Sequence, residues 1–461
     1  AALTSDNSRE RELLFTKLQK KEINYLFVVD MFNEGIDIPQ IDTVLFLRPT
    51  ESLTIFLQQL GRGLRLFEGK DCLTVLDFVG NSNAEYDFTH KFKAMIGKTH
   101  IAIKEEIERD FPHLPLGCSI VLEKRAKEII LRNIDQASRT GLNKLLRKIR
   151  EFGSSYTEPL TLSNFLRLEN YTLFDIFSKK HTWYSLLREA GIENSLEMVL
   201  EKEVARLLRT TWITTDSKSY FQSMMAILKG GHENLEQANQ LHRLLLFYDI
   251  FQQSPQKLKY KSSIDGLTAV LLQNIIKNEL LNFLEERLKT IETIEKRDLS
   301  GFQFPLCLHG RFTRSQILVA LELSSESSMS SNREGVAENK NRNIEALFVT
   351  LDKSKGNYSP ATMYEDYAIT ETLFHWQSQN ATRPESEKGQ SYIHHEAKGK
   401  TILLFVRERN EDENGLRMGY IYLGPLKFQS FTGSQPMSIT WELLNPMPPG
   451  LLNDSRKLAV G

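Results

Sequence analysis

The segment QQLGRGLR, residues 58–65, carries two arginines three positions apart, Arg62 and Arg65. If the segment is helical, both guanidinium groups lie on one face. Adjacent guanidinium groups repel each other unless an anion lies between them, and a planar guanidinium binds a phosphate through paired hydrogen bonds. The pair therefore indicates arginine-finger chemistry at a γ-phosphate. A solvated helix face is the alternative interpretation.

We call QQLGRGLR one polar corner of the chain. Another polar corner, EGID at 34–37, lies between two apolar runs at 26–29 and 43–47. Both runs are rich in Val, Leu and Phe, which predicts strands buried on both faces of a parallel sheet. Open α/β sheets hold nucleotides just past their strand ends, and a glycine lets the backbone approach a phosphate. Gly35 and Asp37 are therefore candidate nucleotide contacts. An ordinary turn is the alternative for Asp37.

In chain order, the corner that contains EGID and the corner QQLGRGLR resemble motifs V and VI, respectively, of superfamily-2 helicases. GIDIP at 35–39 matches the G-x-D element, and QQLGRGLR matches the pattern Q-x-x-G-R-x-x-R. The resemblance implies a RecA-like second helicase lobe, with ATP and Mg²⁺ as cofactors of the full-length protein. It assigns catalytic roles to Gln58, Arg62 and Arg65, and cofactor contacts to Gly35, Asp37 and Gly61.

The sequence has no phosphate-binding loop of the form G-x-x-x-x-G-K-[ST] and no acidic Mg²⁺ box. The chain also begins without a methionine, inside what the resemblance makes the second lobe. We therefore expect the C-terminal half of a longer polypeptide, which does not hydrolyse ATP by itself because arginine fingers complete a site that the first lobe builds.

Composition is that of a soluble globular protein of two to four domains, with 41% hydrophobic and 25% charged residues. A net charge of -1 means that any DNA contact comes from local basic patches. The three cysteines form no C-x-x-C pair, which predicts neither zinc nor disulfides, and we expect no metal site. The scattered cysteines fit a reducing cytoplasm, and the absence of a long apolar run predicts no membrane contact.

Apolar spacing divides the chain into a partial α/β RecA-like lobe (1–92), an all-α connector (93–300) and a mostly β terminal domain (301–461). In the connector, residues 121–150 contain nine Lys or Arg and three Asp or Glu. This stretch is either a helix that follows DNA phosphates or an ordinary solvated helix. In the terminal domain we expect a helix at 313–322 and a mobile Ser-rich loop at 324–332.

The terminal domain contains a set of residues suited to holding an unstacked nucleobase. Phosphate contacts would come from Lys353, Lys355 and Arg383, stacking from Tyr358, Tyr364, Tyr367 and Trp376, and base-edge contacts from Gln377 and Gln379. A well-packed β domain has the same composition, so the residues alone leave both interpretations open.

The segments HGRFTRSQILVAL, YSPATMYEDYAI, LFHWQSQ and PMSITWEL resemble the terminal domain of SauUSI-like type IV restriction endonucleases. That family joins a phospholipase-D-type nuclease, a superfamily-2 helicase and this domain. The resemblance implies an SRA/PUA-like barrel that flips out 5-methylcytosine or 5-hydroxymethylcytosine from double-stranded DNA. It also implies a missing N-terminal nuclease and first helicase lobe, and it leaves open a homodimer of the full-length protein.

Two other functions stay open. The chain can belong to a helicase or translocase in repair or phage defence whose last domain binds a protein partner. Alternatively, the terminal domain is itself a nuclease that uses the E-x-K pair Glu396 and Lys398. His375 is a candidate general base, although a lone histidine among aromatic residues is more often a structural hydrogen-bonding group.

Overall fold

The structure is a computed structural model that describes residues 1–3, 9–28, 39–47, 53–65, 67–78, 88–96, 103–111, 114, 117–169, 171–177, 179–193, 198–291, 293–296, 298, 301–352, 366–412, 415–452 and 455. The chain forms two compact units, Ala1–Leu142 and Asn143–Gly461. The three-domain boundaries at 92/93 and 300/301 stay a prediction.

The first unit combines short parallel strand pairs with helices. Its described elements are β1 (Ala2–Leu3), α1 (Arg11–Gln19), β2 (Phe27–Val28), β3 (Thr43–Phe46), α2 (Leu53–Gly63), β4 (Thr74–Asp77), α3 (Phe88–Ile96), α4 (Ile103–Glu108) and the start of α5 (Lys124–Ser155). β1 pairs in parallel with β2, and β3 pairs in parallel with β4. Parallel neighbours require a crossover connection, and α2 lies in the one between β3 and β4.

The two faces of the β3–β4 pair differ in exposure. Phe46 packs against Phe56 of α2, with ring centroids 5.1 Å apart. On the other face Leu45 and Leu76, which are directly opposite in the register, are 43% and 47% exposed. The prediction of burial on both faces of the run at 43–47 is therefore wrong at Leu45, because the face opposite Phe46 is exposed there.

The second unit begins with a helical segment. Its helices are the remainder of α5, α6 (Leu162–Glu169), α7 (Leu173–Phe177), α8 (Trp183–Glu189), α9 (Glu201–Arg206), a π-helix (Leu207–Trp212), α10 (Lys218–Gly230), α11 (Gln240–Phe251), α12 (Ser263–Leu271) and α13 (Asn274–Thr290), with two short 3-10 helices at His232–Asn234 and Gln256–Leu258. Trp183 and Trp212 are buried in this segment. Among the described helices, none has both the length and the apolar character needed to cross a bilayer.

The rest of the second unit is a mixed sheet with helices beside it. Its elements are β5 (Arg311–Phe312), α14 (Arg314–Ala320), β6 (Val336–Asn339), β7 (Ile344–Thr350), β8 (Tyr367–Ala368), β9 (Leu373–Gln377), α15 (Glu387–Ile393), β10 (Thr401–Arg407), β11 (Tyr420–Thr432) and β12 (Ser438–Leu443). The strand order is β6-β7-β10-β11-β12-β9-β8, with β5 beside β11. β7 and β10 are parallel, and the other pairs are antiparallel.

The described strands form an open sheet, and the expected SRA/PUA-like barrel is not supported. The end strands β6 and β8 each have one strand neighbour, so the described path does not close on itself. β11 instead connects two halves of the sheet, because its first part pairs with β10 and its last part pairs with β12. The change of partner follows Gly424, whose φ of +90° is a conformation that favours glycine.

Burial separates central from peripheral strands. Every residue of β7 is buried, whereas β9 and β12 alternate between buried and partly exposed positions. One face of the central strands joins an apolar core that includes Leu347, Leu404 and Trp441. The other face carries stacked rings, with Phe405 5.6 Å from Phe348 and 5.0 Å from Tyr422. Strands buried on both faces and strands with one solvated face therefore occur in the same sheet.

A buried carboxylate joins the helical segment to α14 of the sheet region. Asp249, 1% exposed, accepts hydrogen bonds from Trp212 Nε1 at 2.8 Å, Tyr220 Oη at 2.6 Å and Gln316 Nε2 at 3.1 Å. Burial raises the pKa of Asp249 to about 6, although the three hydrogen bonds lower it. Gln316 also closes a capping box with Thr313 at the start of α14. The helix predicted at 313–322 is thus confirmed.

The Ser-rich segment at 324–332 is anchored to the helices, contrary to its predicted mobility. Tyr248 Oη donates to the carbonyl oxygens of Ser325 at 2.7 Å and Ser328 at 2.9 Å. The carboxylate of Glu326 accepts from Ser263 N at 2.7 Å and Ser263 Oγ at 2.6 Å. A low-complexity segment stays ordered when its polar groups find hydrogen-bond partners. Residues of α11 and α12 supply those partners here.

We predict that Asp249→Asn removes a pH dependence of stability. A folded-state pKa raised from 3.8 to about 6 means that the Asp249 contribution is fully present at low pH and is lost as pH rises through 6. Between pH 4 and pH 7 the free energy of unfolding of the wild type should fall relative to that of the variant by about 2 kcal/mol. Urea denaturation of both proteins at pH 4 and pH 7 measures this change. The same difference in the free energy of unfolding between wild type and variant at both pH values would contradict the prediction.

Candidate functional site

The arginine-bearing helix α2 is fixed on the β3–β4 pair by aromatic and charged contacts. Phe56 of α2 is 2% exposed and packs on Phe46. Lys91 Nζ lies 4.2 Å from the centroid of the Phe56 ring and bonds to the carboxylate of Asp77, the last residue of β4. The cation thus joins the strand end to the ring, in a site where its own side chain is only 7% exposed.

Helix α2 ends before the second arginine. Arg62 is in the last turn of the helix, whereas Arg65 lies in the turn beyond Gly63 and is exposed. The predicted single helical face for both arginines therefore does not extend to Arg65. A Cβ on Gly63 would lie 2.7 Å from the Leu73 side chain, so a glycine allows the helix end to approach this residue. Among the described atoms, none lies within 4 Å of the position that a Cβ on Gly61 would take.

Several predicted nucleotide contacts lie outside the described residues. Gly35 and Asp37 belong to this group, and so do the side chains of Gln58 and Arg62, whose backbone is helical. The described part of the corner is its last residue, Pro39. These assignments stay predictions.

Lys70, which the sequence interpretation missed, contacts both corners. Its ammonium group donates to the carbonyl oxygen of Pro39 at 3.1 Å, to that of Arg65 at 3.2 Å and to that of Gly63. Gly69, with φ of +81°, makes the turn that brings the lysine back to the helix end. A lysine shortly after a predicted helix end was the available signal, because basic side chains near a helix C-terminus commonly bind its last carbonyl groups.

The solvated face of β8, β9 and β12 is the candidate nucleic-acid surface of the second unit. Tyr367 and His375 are opposite each other in the register and stack with ring centroids 4.8 Å apart and an angle of 15°. Thr440 lies beside His375 on β12, and Ser438 lies beside Gln377. An aromatic pair surrounded by hydroxyl and amide groups can stack on a base and hydrogen-bond its edge.

The predicted stacking residues separate into two groups. Tyr367 is on the solvated face, but Trp376 is 4% exposed and packs in the core, 5.3 Å from the Tyr392 ring. The period of two in β9 explains the difference, because His375 and Gln377 point to one face and Trp376 to the other. Tyr358 and Tyr364 lie outside the described residues, as do Lys353 and Lys355.

The two remaining predicted DNA contacts are near the same end of β9. Gln379 Nε2 donates to Glu334 at 3.4 Å. The exposed guanidinium of Arg383 donates to the side-chain oxygen of Gln435 at 2.8 and 3.0 Å. The backbone N of Gln377 donates to Asp366 at 3.0 Å, which holds the β9 end beside β8.

The E-x-K pair does not lie on a strand. Glu396 and Lys398 are exposed in the turn between α15 and β10. The nearby buried carboxylates are bound to lysines: Glu345, with a fully buried side chain, accepts from Lys388 at 2.8 Å and from Lys400 at 2.6 Å. Burial lowers the pKa of Lys400, but Glu345 and Glu338 together raise it above its ordinary value. Within the described residues no group of three His, Cys, Asp or Glu side chains is placed to hold a metal ion.

The basic stretch in α5 contains residues that already have intramolecular partners. Lys127 donates to Asp110 at 2.7 Å, Lys148 is 2.9 Å from the Glu169 carboxylate, and Arg150 donates to the Ala190 carbonyl oxygen at 3.2 Å. These three side chains favour the structural interpretation of the stretch over a phosphate track.

Comparisons with known proteins match the two ends of the chain. Residues 2–67 match the family described as helicase conserved C-terminal domain, and residues 306–454 match a family described as a domain of unknown function, DUF3427. The helicase match includes both corners. The prediction of a helicase C-terminal lobe at the start of the chain is therefore confirmed.

Individual relatives match short stretches of the chain. IRC3 of Saccharomyces cerevisiae, named as an ATP-dependent helicase, is 40% identical over 82 residues, which are 18% of this chain and 12% of that protein. A Schizosaccharomyces pombe protein named as a mitochondrial ATP-dependent helicase is 48% identical over 73 residues, 16% of this chain and 12% of that protein. A 51.5 kDa protein of a Lactococcus phage (isolate 7-9) is 35% identical over 75 residues, 16% of each chain. The chain thus matches only a small part of each relative's length.

We predict that Trp376→Ala and Tyr367→Ala act differently on stability, because their rings lie on opposite sides of the sheet. Loss of the buried indole should lower the free energy of unfolding by about 3–5 kcal/mol. Loss of the solvated Tyr367 ring should cost less than about 1 kcal/mol. Equilibrium denaturation monitored by circular dichroism measures both, and equal losses would contradict the placement of the two rings.

Proposed function

We propose that this chain is the C-terminal part of an ATP-dependent DNA motor that serves modification-dependent restriction. The helicase lobe contributes arginines to an ATP site, and the terminal region recognises double-stranded DNA that carries 5-methylcytosine or 5-hydroxymethylcytosine. The observation that carries the proposal is the presence in one chain of a helicase lobe and a solvated sheet face with a stacked Tyr367–His375 pair. Endonuclease activity would come from a nuclease outside this sequence.

Arg62 and Arg65 would stabilise the charge that develops on the γ-phosphate of ATP. Arg65 fits this role because it is exposed just beyond the end of a helix that is firmly packed on the strands. ATP would supply the driving force, and its Mg²⁺ would be held through phosphates and carboxylates of a first lobe. Arginine contacts that form chiefly in the transition state raise kcat more than they lower KM.

Base recognition would use the solvated sheet face. A flipped cytosine can stack on the Tyr367–His375 pair, while the Gln377 amide offers a donor and an acceptor to its base-pairing edge. The described strands form an open sheet and not the expected barrel. Base recognition would therefore use this sheet face and would not require a closed barrel. The helical segment is assigned the role of coupling the sheet to the motor.

We predict that the chain binds a 5-methylcytosine duplex roughly tenfold or more tightly than the unmethylated duplex, since one good base contact is worth about 1–3 kcal/mol. Tyr367→Ala should weaken binding to the methylated duplex roughly 5- to 150-fold, the range that corresponds to loss of one stacked base. Fluorescence anisotropy at fixed salt measures these affinities.

Tyr25→Ala is the matched control, because Tyr25 is 69% exposed and belongs to the other unit. It should leave the affinity unchanged. Equal and weak binding of both duplexes by the wild type would reject modified-base recognition and would favour a helicase or translocase whose last domain binds a protein.

We predict that Arg65→Ala in the full-length protein lowers the kcat of DNA-stimulated ATP hydrolysis by about 1,000-fold or more with little change in KM, because the guanidinium acts in the transition state. Arg9→Ala, which removes another exposed arginine of the same unit, is the control. Wild-type turnover by the Arg65 variant would refute the arginine-finger assignment.

A further inference from the structure

Three backbone carbonyl groups converge on the ammonium group of Lys70. The acceptors are the oxygens of Pro39, Gly63 and Arg65, at 3.1 Å for the first and 3.2 Å for the last. A lysine has three N–H donors, so this arrangement can use all of them. The Lys70 side chain is only partly exposed, which strengthens each bond relative to a fully solvated one.

The three carbonyl groups belong to two separate parts of the lobe. Those of Gly63 and Arg65 stand at the end of α2 and in the turn beyond it, where helical carbonyl groups lack intrahelical partners and carry the negative end of the helix dipole. Pro39 ends the GIDIP corner, which contains the predicted nucleotide contacts Gly35 and Asp37. Lys70 therefore links the arginine-bearing turn to the other corner of the proposed ATP site.

We propose that Lys70 is a positioning residue for the arginine-finger chemistry. It does not contact ATP in this assignment. It sets the distance between the GIDIP corner and the backbone of Arg65, so that the Arg65 guanidinium is held where the transition-state charge develops. A misplacement of about 1 Å can reduce catalysis roughly 100-fold, which makes a backbone link of this kind consequential. The inference rests on the proposed ATP-dependent motor.

The alternative is a lysine that only stabilises the end of a helix. Such a lysine would affect the free energy of unfolding but not the turnover of the molecules that stay folded. A positioning lysine affects kcat at temperatures well below unfolding, leaves KM for ATP nearly unchanged, and acts through Arg65.

The experiment uses the full-length protein with Lys70→Met, Lys70→Arg, Arg65→Ala and the double variant Lys70→Met/Arg65→Ala. Lys70→Met keeps the length of the side chain and removes its donors. It should lower kcat about 10- to 100-fold. Lys70→Arg should recover part of this loss, because a guanidinium also donates several hydrogen bonds. Lys20→Met, at an exposed lysine of the same unit, should match the wild type.

The double variant identifies the route of the effect. If Lys70 acts through Arg65, the double variant should be no slower than Arg65→Ala alone, since residues that act as a unit are not additive. Additive losses, or an unchanged kcat in Lys70→Met with a lowered melting temperature, would overturn the positioning role. An Arg65→Ala protein with normal turnover would instead reject the proposed function, so the two failures are distinguishable.

Discussion

The burial of Asp249 between helices and α14 is the constraint on which the second unit depends. A carboxylate removed from water is costly unless donors surround it, and its three donors come from Trp212, Tyr220 and Gln316. Two of these belong to the helical segment, and the third belongs to the helix next to the sheet. Separation of the segments would leave the carboxylate or its donors unsatisfied. The helical segment and the sheet therefore stay together as one compact unit.

This constraint bears on how the proposed reader would communicate with the rest of the protein. The sheet region is held to the helical segment by Asp249, by the anchored Ser-rich segment and by the backbone hydrogen bonds between Asp216 and Arg311, at 2.9 and 3.0 Å. With so many cross-links, a hinge near residue 300 is not a feature of the described contacts. We expect DNA engaged by the sheet face to move the helical segment with the sheet as a rigid body, as in domain rotations that act through an interface.

The sequence predicted local features well and side-chain environments poorly. The apolar runs at 26–29 and 43–47 located β2 and β3, and Thr313 marked the start of α14. Composition could not reveal that α11 and α12 anchor the Ser-rich segment, because those contacts join residues about 60–80 positions apart. The barrel was inferred from resemblance, and the described strand order is open. The exposure of Leu45 likewise depends on which helices reach each face, information that a strand's own residues do not contain.

Local sequence also leaves the surroundings of the candidate-site residues open, in a different way at each site. In β9 the period of two was readable in advance, and it separates His375 from Trp376 once the buried face is known. Tyr367 is on the same face as His375 because the β8–β9 register places the two residues opposite each other. In the helicase lobe, no pattern of side chains along the sequence identifies Lys70. Its hydrogen-bond partners are main-chain oxygens, which any residue could supply. Side-chain patterns can thus indicate which residues meet a ligand. The residues that hold the backbone in place become visible only when the turns around them are known.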